Sequence, residues 1–290
     1  MLLDPSTFCT TELTDRPQRE LAEIITVRVA KVEKVAPDLL EITVSAPALR
    51  EHRLIGPDEF FGLLIPSPGR EYVPVPRPTS GNLRSHLAQL SDPERPELRW
   101  YTVRHLDRSA GALAFQVVTH GVTDPADPAI GPALRWALGA GPGDICGISP
   151  TNGLWCRHYA AGSGSQLLIA DPTAAPSVVA VLEFLQSFHP DELRSTGVIL
   201  AAPSLDSFEP GIGGKWASRL GVFHMVTAPQ EELLVAVLDR LRTLNPAGYV
   251  WCCGERAFAA GVRRFSVSEW GMDPRDVTFS GFWIEGQARG

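Results

Sequence analysis

Between residues 24 and 35 apolar and polar side chains alternate: Ile25, Val27 and Val29 are separated by Thr26 and Arg28. A period of two predicts a strand with one buried face. LLEITVSAP (39–47) repeats the pattern at hairpin distance, and EFFGLLIPSPG (59–69) runs into a Pro/Gly turn. LRWYTVRHLD (98–107), GALAFQVVTHG (111–121) and GDICGISP (143–150) complete six strands, which predicts a small antiparallel β-barrel. Two segments interrupt it. Residues 66–98, rich in Pro, Ser, Arg and Glu, read as a long excursion with a short helix over 83–90. In IGPALRWALGAGPGD, Gly131 and Pro132 open a helix and Gly139 or Gly141 closes it.

After RHYAAGSGSQ (157–166), a small-residue linker, the period changes. LLIA (167–170), GVILAA (197–202), GYVWCCGE (248–255) and DVTFSGFW (276–283) read as strands. Between them, APSVVAVLEFLQSF (175–188), QEELLVAVLDRLRTL (230–244) and RAFAAGVRRFSVSEW (256–270) carry helical spacing. Strand alternating with helix predicts a parallel, helix-flanked sheet. The expected organisation is therefore two domains: a flexible arm over 1–20, a barrel over 21–156, a linker over 157–166 and an α/β domain over 167–290.

Composition narrows the function classes. Net charge is −7, and no long basic block exists, which argues against nucleic-acid binding. Only three of the 26 basic residues are lysines (Lys31, Lys34, Lys215), so anion sites will be built from guanidinium groups. The five cysteines show no metal-ligand spacing, and no metal is expected. An odd cysteine count and an N-terminus without a signal-peptide pattern point to a reducing, cytoplasmic setting. No apolar run reaches the ~18 residues of a membrane span.

The candidate chemistry lies at four places. In a strand, Arg99 and Tyr101 share one face, and Trp100, Thr102 and Arg104 the other. A guanidinium beside an aromatic ring suits a phosphorylated, flat heterocycle, although cross-strand ion pairing explains the same pattern. The helix opened by Gly131 and Pro132 offers free N–H groups and a positive dipole end, with Arg135 close by. Asp171 and Thr173 sit where a buried strand meets a helix, the position at which parallel sheets bind nucleotides. Gly254 and Glu255 occupy the equivalent place after a later strand. The fingerprint G-x-G-x-x-G is absent; Gly162 and Gly164 precede the strand and belong to the linker.

In this order RWYTVR, VVTHG, GPALRWA, GPGD, ADPTAAP, WCCGE and SGFW resemble the siderophore-interacting proteins, flavin-dependent ferric-siderophore reductases of the ferredoxin-reductase-like superfamily. The resemblance runs from about Ile24 to Gly286 and implies FAD on the barrel and NADPH or NADH on the α/β domain. It implies that Arg99 binds the FAD phosphates, that Tyr101 and Thr102 meet the flavin ring, and that Arg104 supports the site. His120 and Gly121 would approach the ribityl or adenosine side, and Gly131, Pro132 and Ala133 the pyrophosphate. Asp171, Thr173, Ala174, Gly254 and Glu255 would line the nicotinamide-nucleotide site, with Trp283 beside the flavin. Thr102 and Trp283 would be the residues nearest the chemistry. The electron acceptor would be a small molecule, a ferric siderophore.

Two departures bear on this. Leu134 stands where the family usually has Ser or Thr, and Pro172 replaces an acidic residue. A lost hydroxyl contact to phosphate weakens FAD binding by roughly 1.5–3 kcal/mol. The same fold also serves flavin reductases and specialised-metabolism flavoenzymes, and a binding module that has lost flavin turnover would keep the same strands.

Overall fold

The computed structural model describes residues 2–19, 23–78, 82–92, 95–157 and 164–286. Its first half contains β1 (Ile25–Ala36), β2 (Leu39–Ser45), β3 (Phe60–Ile65), β4 (Glu97–Thr102), β5 (His105–Asp107), β6 (Ala112–Val118) and β7 (Ile145–Pro150). Their order is β4-β3-β7-β1-β2-β6-β5, with antiparallel neighbours throughout. The two edges are one stretch of chain. β4 pairs with β3, β5 pairs with β6, and only Val103 and Arg104 separate them. Val103 N–H donates to Glu59 O on the β3 side, and Arg104 N–H donates to Ala114 O on β6. This bent segment pairs along both edges, so the sheet closes as a barrel. The expected strand over 98–107 is thus two strands, and six sequence segments become seven elements.

Alternation delivers the barrel interior. Val27, Val29, Ile42, Val44, Leu63, Phe115 and Ile148 are all buried. The excursion after β3 contains α1 (Leu83–Leu87), whose Leu83 and Leu87 pack with Leu64, Val75 and Leu98 on the barrel's outer face. Residues 79–81 and 93–94 of that excursion lie outside the described residues. Helix α2 (Pro132–Gly139) begins and ends as the glycine and proline positions predict.

The second half contains β8 (Gln166–Ala170), α3 (Ala175–Phe188), β9 (Thr196–Ala202), α4 (Ile212–Trp216), β10 (Val222–Thr227), α5 (Leu233–Leu241), β11 (Tyr249–Glu255), α6 (Arg256–Ser268) and β12 (Val277–Trp283). Every pairing is parallel, in the order β10-β9-β8-β11-β12. The chain runs outward from β8 to β10, then crosses back to β11, so direction reverses between β8 and β11. A crevice opens at the carboxyl ends of strands at such a switch point. β10 is absent from the sequence expectation. It is an edge strand, and VFHMVT neither alternates nor forms a continuous apolar run. No helix among the described residues is long and apolar enough to cross a membrane.

The expected flexible arm is a packed strap over residues 2–19. Phe8 is 3% exposed and stacks edge-on against Phe184 and Phe188 of α3, with centroids 5.2 and 5.8 Å away. Thr7 and Cys9 exchange backbone hydrogen bonds with Leu54. Arg16 donates to Thr278 Oγ1 on β12 at 2.6 Å. Pro17 fills a socket that only glycines leave open, since a Cβ on Gly56 or Gly153 would lie 2.8 or 2.7 Å from its ring. The strap therefore touches both domains. Its anchors Phe8, Leu13 and Pro17 are too widely spaced to register as a period. Of the expected linker, residues 158–163 lie outside the described residues; Arg157 pairs with Glu192 at 2.5 Å, and Gln166 already belongs to β8.

Candidate functional site

The carboxyl ends of β8, β11 and β12 converge on one carboxylate. Asp171 directly follows β8 and is 1% exposed. Its Oδ1 accepts from Thr173 N at 2.8 Å, Thr173 Oγ1 at 2.6 Å and Ala174 N at 3.3 Å. Its Oδ2 accepts from Glu255 N and from Trp283 Nε1, both at 2.7 Å. Burial pushes the carboxyl above its ordinary range, against the pull of these donors. Gly254 has φ +145°, and a Cβ there would lie 2.5 Å from the Asp171 carboxyl carbon. Only glycine lets β11 pass so close. The Glu255 side chain accepts from Phe258 N at 2.9 Å and caps α6. Asp171, Thr173, Ala174, Gly254, Glu255 and Trp283 thus form one rim. Asp171 holds that rim together from inside; what it exposes are the loop after β8, the start of α6 and the Trp283 indole.

The barrel meets this rim twice. Thr102 Oγ1 lies 2.8 Å from Ser177 Oγ on α3, and both residues are buried. The His120 ring lies 5.6 Å from the Trp283 ring. His120 has φ +53° and Gly121 φ +78°, a tight turn just beyond β6. Arg99 and Tyr101 share a face, as alternation dictates, opposite Leu63 and Phe61 of β3. The Tyr101 ring packs 5.0 Å from Phe115 and 6.5 Å from Phe61, and burial pushes its phenol up to about 12. Arg99 donates to Leu98 O at 2.7 Å and to Glu97 at 3.3 Å. Neither side chain turns toward bulk water; Arg99 retains 16% exposure.

Helix α2 packs beside β4. Gly131 is its N-cap and offers no side-chain acceptor, so the first-turn N–H groups keep their capacity for an outside anion. Among the described residues, nothing lies within 4 Å of where a Cβ would stand on Gly131 or Gly121. Pro132 occupies the first turn, Ala133 is buried, and Leu134 packs against the barrel core. Arg135 donates to the carbonyls of Pro125, Asp127 and Ile130, and so braces the loop before the helix. A cleft of ≈ 550 Å³ opens beside α2 between Pro132, Trp136, Arg70, Tyr72 and Asp144.

Arg104 does not join this donor set. Its guanidinium pairs with Glu183 at 2.8 Å and Glu209 at 2.5 Å, across to the second domain. Ser177, Glu183 and Glu209 escaped the sequence reading. Glu183 carried a signal, being a lone charge in the apolar run VVAVLEFL. Its partner is 79 residues away, and no local pattern links the two.

A closed antiparallel barrel joined to a parallel sheet, with polar rims facing each other, defines a two-domain protein of the ferredoxin-reductase-like kind. Residues 28–155 match the siderophore-interacting FAD-binding domain, and residues 164–286 match the siderophore-interacting protein domain. The chain belongs to the siderophore-interacting protein family. Rv2895c of Mycobacterium tuberculosis is 26% identical over 238 residues, covering 79% of each chain. A siderophore utilization protein from T. fusca superimposes with TM-score 0.70 at 19% identity, over 94% of this chain and 98% of that one. A ferredoxin NADP+ reductase from Neisseria gonorrhoeae, solved with bound FAD and NADP, superimposes with TM-score 0.58 at 14% identity, over 90% and 100%. At these identities the two structures speak for the fold.

The residues present fit FAD. The uncapped start of α2, the open backbone at Gly121 and Gly131, and the Arg99 guanidinium on the neighbouring strand make a donor set for a diphosphate.

Proposed function

We propose that this protein is a flavin-dependent NAD(P)H oxidoreductase whose electron acceptor is a ferric siderophore, from which it releases Fe(II). The observation that carries this reading is the double meeting of the rims, Thr102 with Ser177 and His120 with Trp283. A flavin on β4 and a nicotinamide on the Asp171 rim would be neighbours there. FAD, when bound, supplies an acceptor for hydride and a donor of single electrons, which an Fe(III) chelate requires.

The chain's own part is binding and positioning. Arg99 and the first turn of α2, with Gly131, Pro132 and Ala133, would hold the phosphates. Tyr101, neutral and packed on Phe115 and Phe61, would give the flavin a rigid apolar neighbour. Thr102 would hydrogen-bond its polar edge, and His120 with Gly121 would shape the side nearest Trp283. Thr173, Ala174, Gly254 and Glu255 would receive the nicotinamide nucleotide at the switch point. No side-chain nucleophile is required. Fe(II) binds hard oxygen chelators less tightly than Fe(III), so reduction itself drives release.

The test is an anaerobic absorbance titration of FAD-reconstituted protein with NADH and with NADPH. It is followed by a ferric hydroxamate chelate and a ferrous-specific chromophore. Bleaching of the flavin band and Fe(II) appearance tied to its return support the reading. Bleaching with electrons passed only to free flavin favours a flavin reductase. A protein that FAD cannot reconstitute overturns both and leaves a binding module.

A further inference from the structure

We infer that Arg104 is a positioning residue that clamps the two domains at the separation the reaction needs, and is not a ligand of the flavin. The inference rests on the proposed reductase reading for its consequence, though not for its geometry. Nε donates to Glu209 at 2.5 Å and Nη2 to the same carboxylate at 3.1 Å. Nη1 and Nη2 donate to Glu183 at 2.8 and 3.2 Å. The remaining Nη1 direction meets His105 Nδ1 at 3.5 Å. A guanidinium has five N–H groups; four donate to the two carboxylates and the fifth faces the His105 ring. None is left for a phosphate or a ring.

The clamp joins elements that are rigid on both sides. On the barrel, the Arg104 amide is bonded to β6, and Gln116 donates to Glu209 at 2.8 Å and to Glu41 at 3.1 Å. On the second domain, Glu183 is on α3 and also pairs with Lys215 at 2.7 Å. Burial works to raise the Glu183 and Glu209 carboxyls, and the hydrogen bonds and charge of Arg104 outweigh it, so both sit below their usual range. Arg104 is 6% exposed, where such a fork-to-carboxylate pair is poorly screened. The leverage is short: Thr102 is two residues from Arg104, and Ser177 is on the same helix as Glu183. The clamp therefore sets the Thr102–Ser177 contact, and with it the approach of the two rims.

Arg104→Met removes the guanidinium from between two carboxylates and leaves Glu183 only Lys215 and Glu209 only Gln116, so the decisive variant neutralises the cluster together: Arg104→Met with Glu183→Gln and Glu209→Gln. Arg104→Lys keeps the charge without the fork. The measurements are FAD affinity by fluorescence titration, small-angle scattering of the apoprotein, and single-turnover flavin reduction at saturating nicotinamide nucleotide. The triple variant is expected to bind FAD within threefold of the parent, to show an enlarged radius of gyration, and to slow flavin reduction at least tenfold. Arg104→Lys should fall between the two. A tenfold loss of FAD affinity makes Arg104 a flavin ligand and overturns the inference. Unchanged scattering, or reduction at the parental rate, overturns it as well. If the parent itself does not bind FAD, the reductase reading fails, and scattering alone still decides the clamp.

Discussion

Two buried aspartates divide the molecule into two kinds of polar site. Asp171, at the rim of the parallel sheet, has donors on both carboxylate oxygens. Asp58, where the strap and the barrel meet, is 2% exposed and has donors on one oxygen only. Its Oδ2 accepts from Leu154 N at 2.9 Å and Trp155 N at 2.8 Å, while Oδ1 is buried without a partner among the described residues. Burial raises both carboxyls above their ordinary range, Asp58 to about 7. The difference lies in what the protein asks of each. The rim needs a carboxylate, because five donors converge on it. The junction needs only one acceptor oxygen, and the other is held dry beside Pro17 and Gly153. Burial alone does not tell whether a charge is wanted; the count of donors does.

Gly254 is where the Asp171 rim is most easily disrupted. Alanine there must adopt φ +145° and push its Cβ to 2.5 Å from the Asp171 carboxyl carbon. Left-side backbone strain and overpacking together cost roughly 3–5 kcal/mol. Gly254→Ala is expected to show the largest loss in a denaturant unfolding curve. A loss under about 1 kcal/mol would mean that β11 does not depend on its approach to Asp171.

Asp171→Asn comes next. An amide has one acceptor oxygen and one donor nitrogen, so whichever way it turns, its NH₂ faces at least two N–H groups. Hydrogen bonds to a charged group contribute roughly 1.5–3 kcal/mol each, and a destabilisation of about 2–4 kcal/mol follows. Freeing the Trp283 indole from its 2.7 Å bond should also move indole fluorescence in the folded state. An unchanged emission with unchanged stability would show that Asp171 does not organise the rim.

These two residues were also unequal in what the sequence disclosed. Asp171 lies at a strand-to-helix junction within one local motif, so its place at the switch point was readable. Its inward role was not, because two of its donors come from Glu255 and Trp283, 84 and 112 residues away. The barrel strands announced themselves through alternation, and β8, β9 and β11 through continuous apolar runs. What stayed hidden depends on partners distant in sequence: the packed strap, the half-exposed edge strand β10, the bend at Val103 and Arg104, and the Glu183–Arg104–Glu209 clamp. Asp58 belongs to the hidden class. Nothing in the flanking GP and EFF of GPDEFF distinguishes a buried carboxyl from an ordinary turn residue.

The smallest expected effect is the most diagnostic, because the same substitution should act with the opposite sign. Asp58→Asn preserves the one acceptor that Leu154 and Trp155 use and removes the charge. The Asp58 carboxyl has an ordinary value of 3.8, raised in the fold to about 7, chiefly by burial and further by the charge of neighbouring Glu59. The folded state therefore holds the proton longer than the unfolded chain. Its contribution to stability is complete below the unfolded value and declines as pH rises through the window from 3.8 to about 7. The asparagine variant has no proton to lose. Between pH 5 and pH 8 the stability difference should therefore move in favour of Asp58→Asn by about 1–3 kcal/mol. Subtracting the two unfolding curves at each pH isolates this group, since Glu183 and Glu209 titrate in both proteins alike. A difference that stays flat from pH 5 to pH 8 would show that the fold never holds Asp58 protonated, and the contrast with Asp171 would then rest on geometry alone.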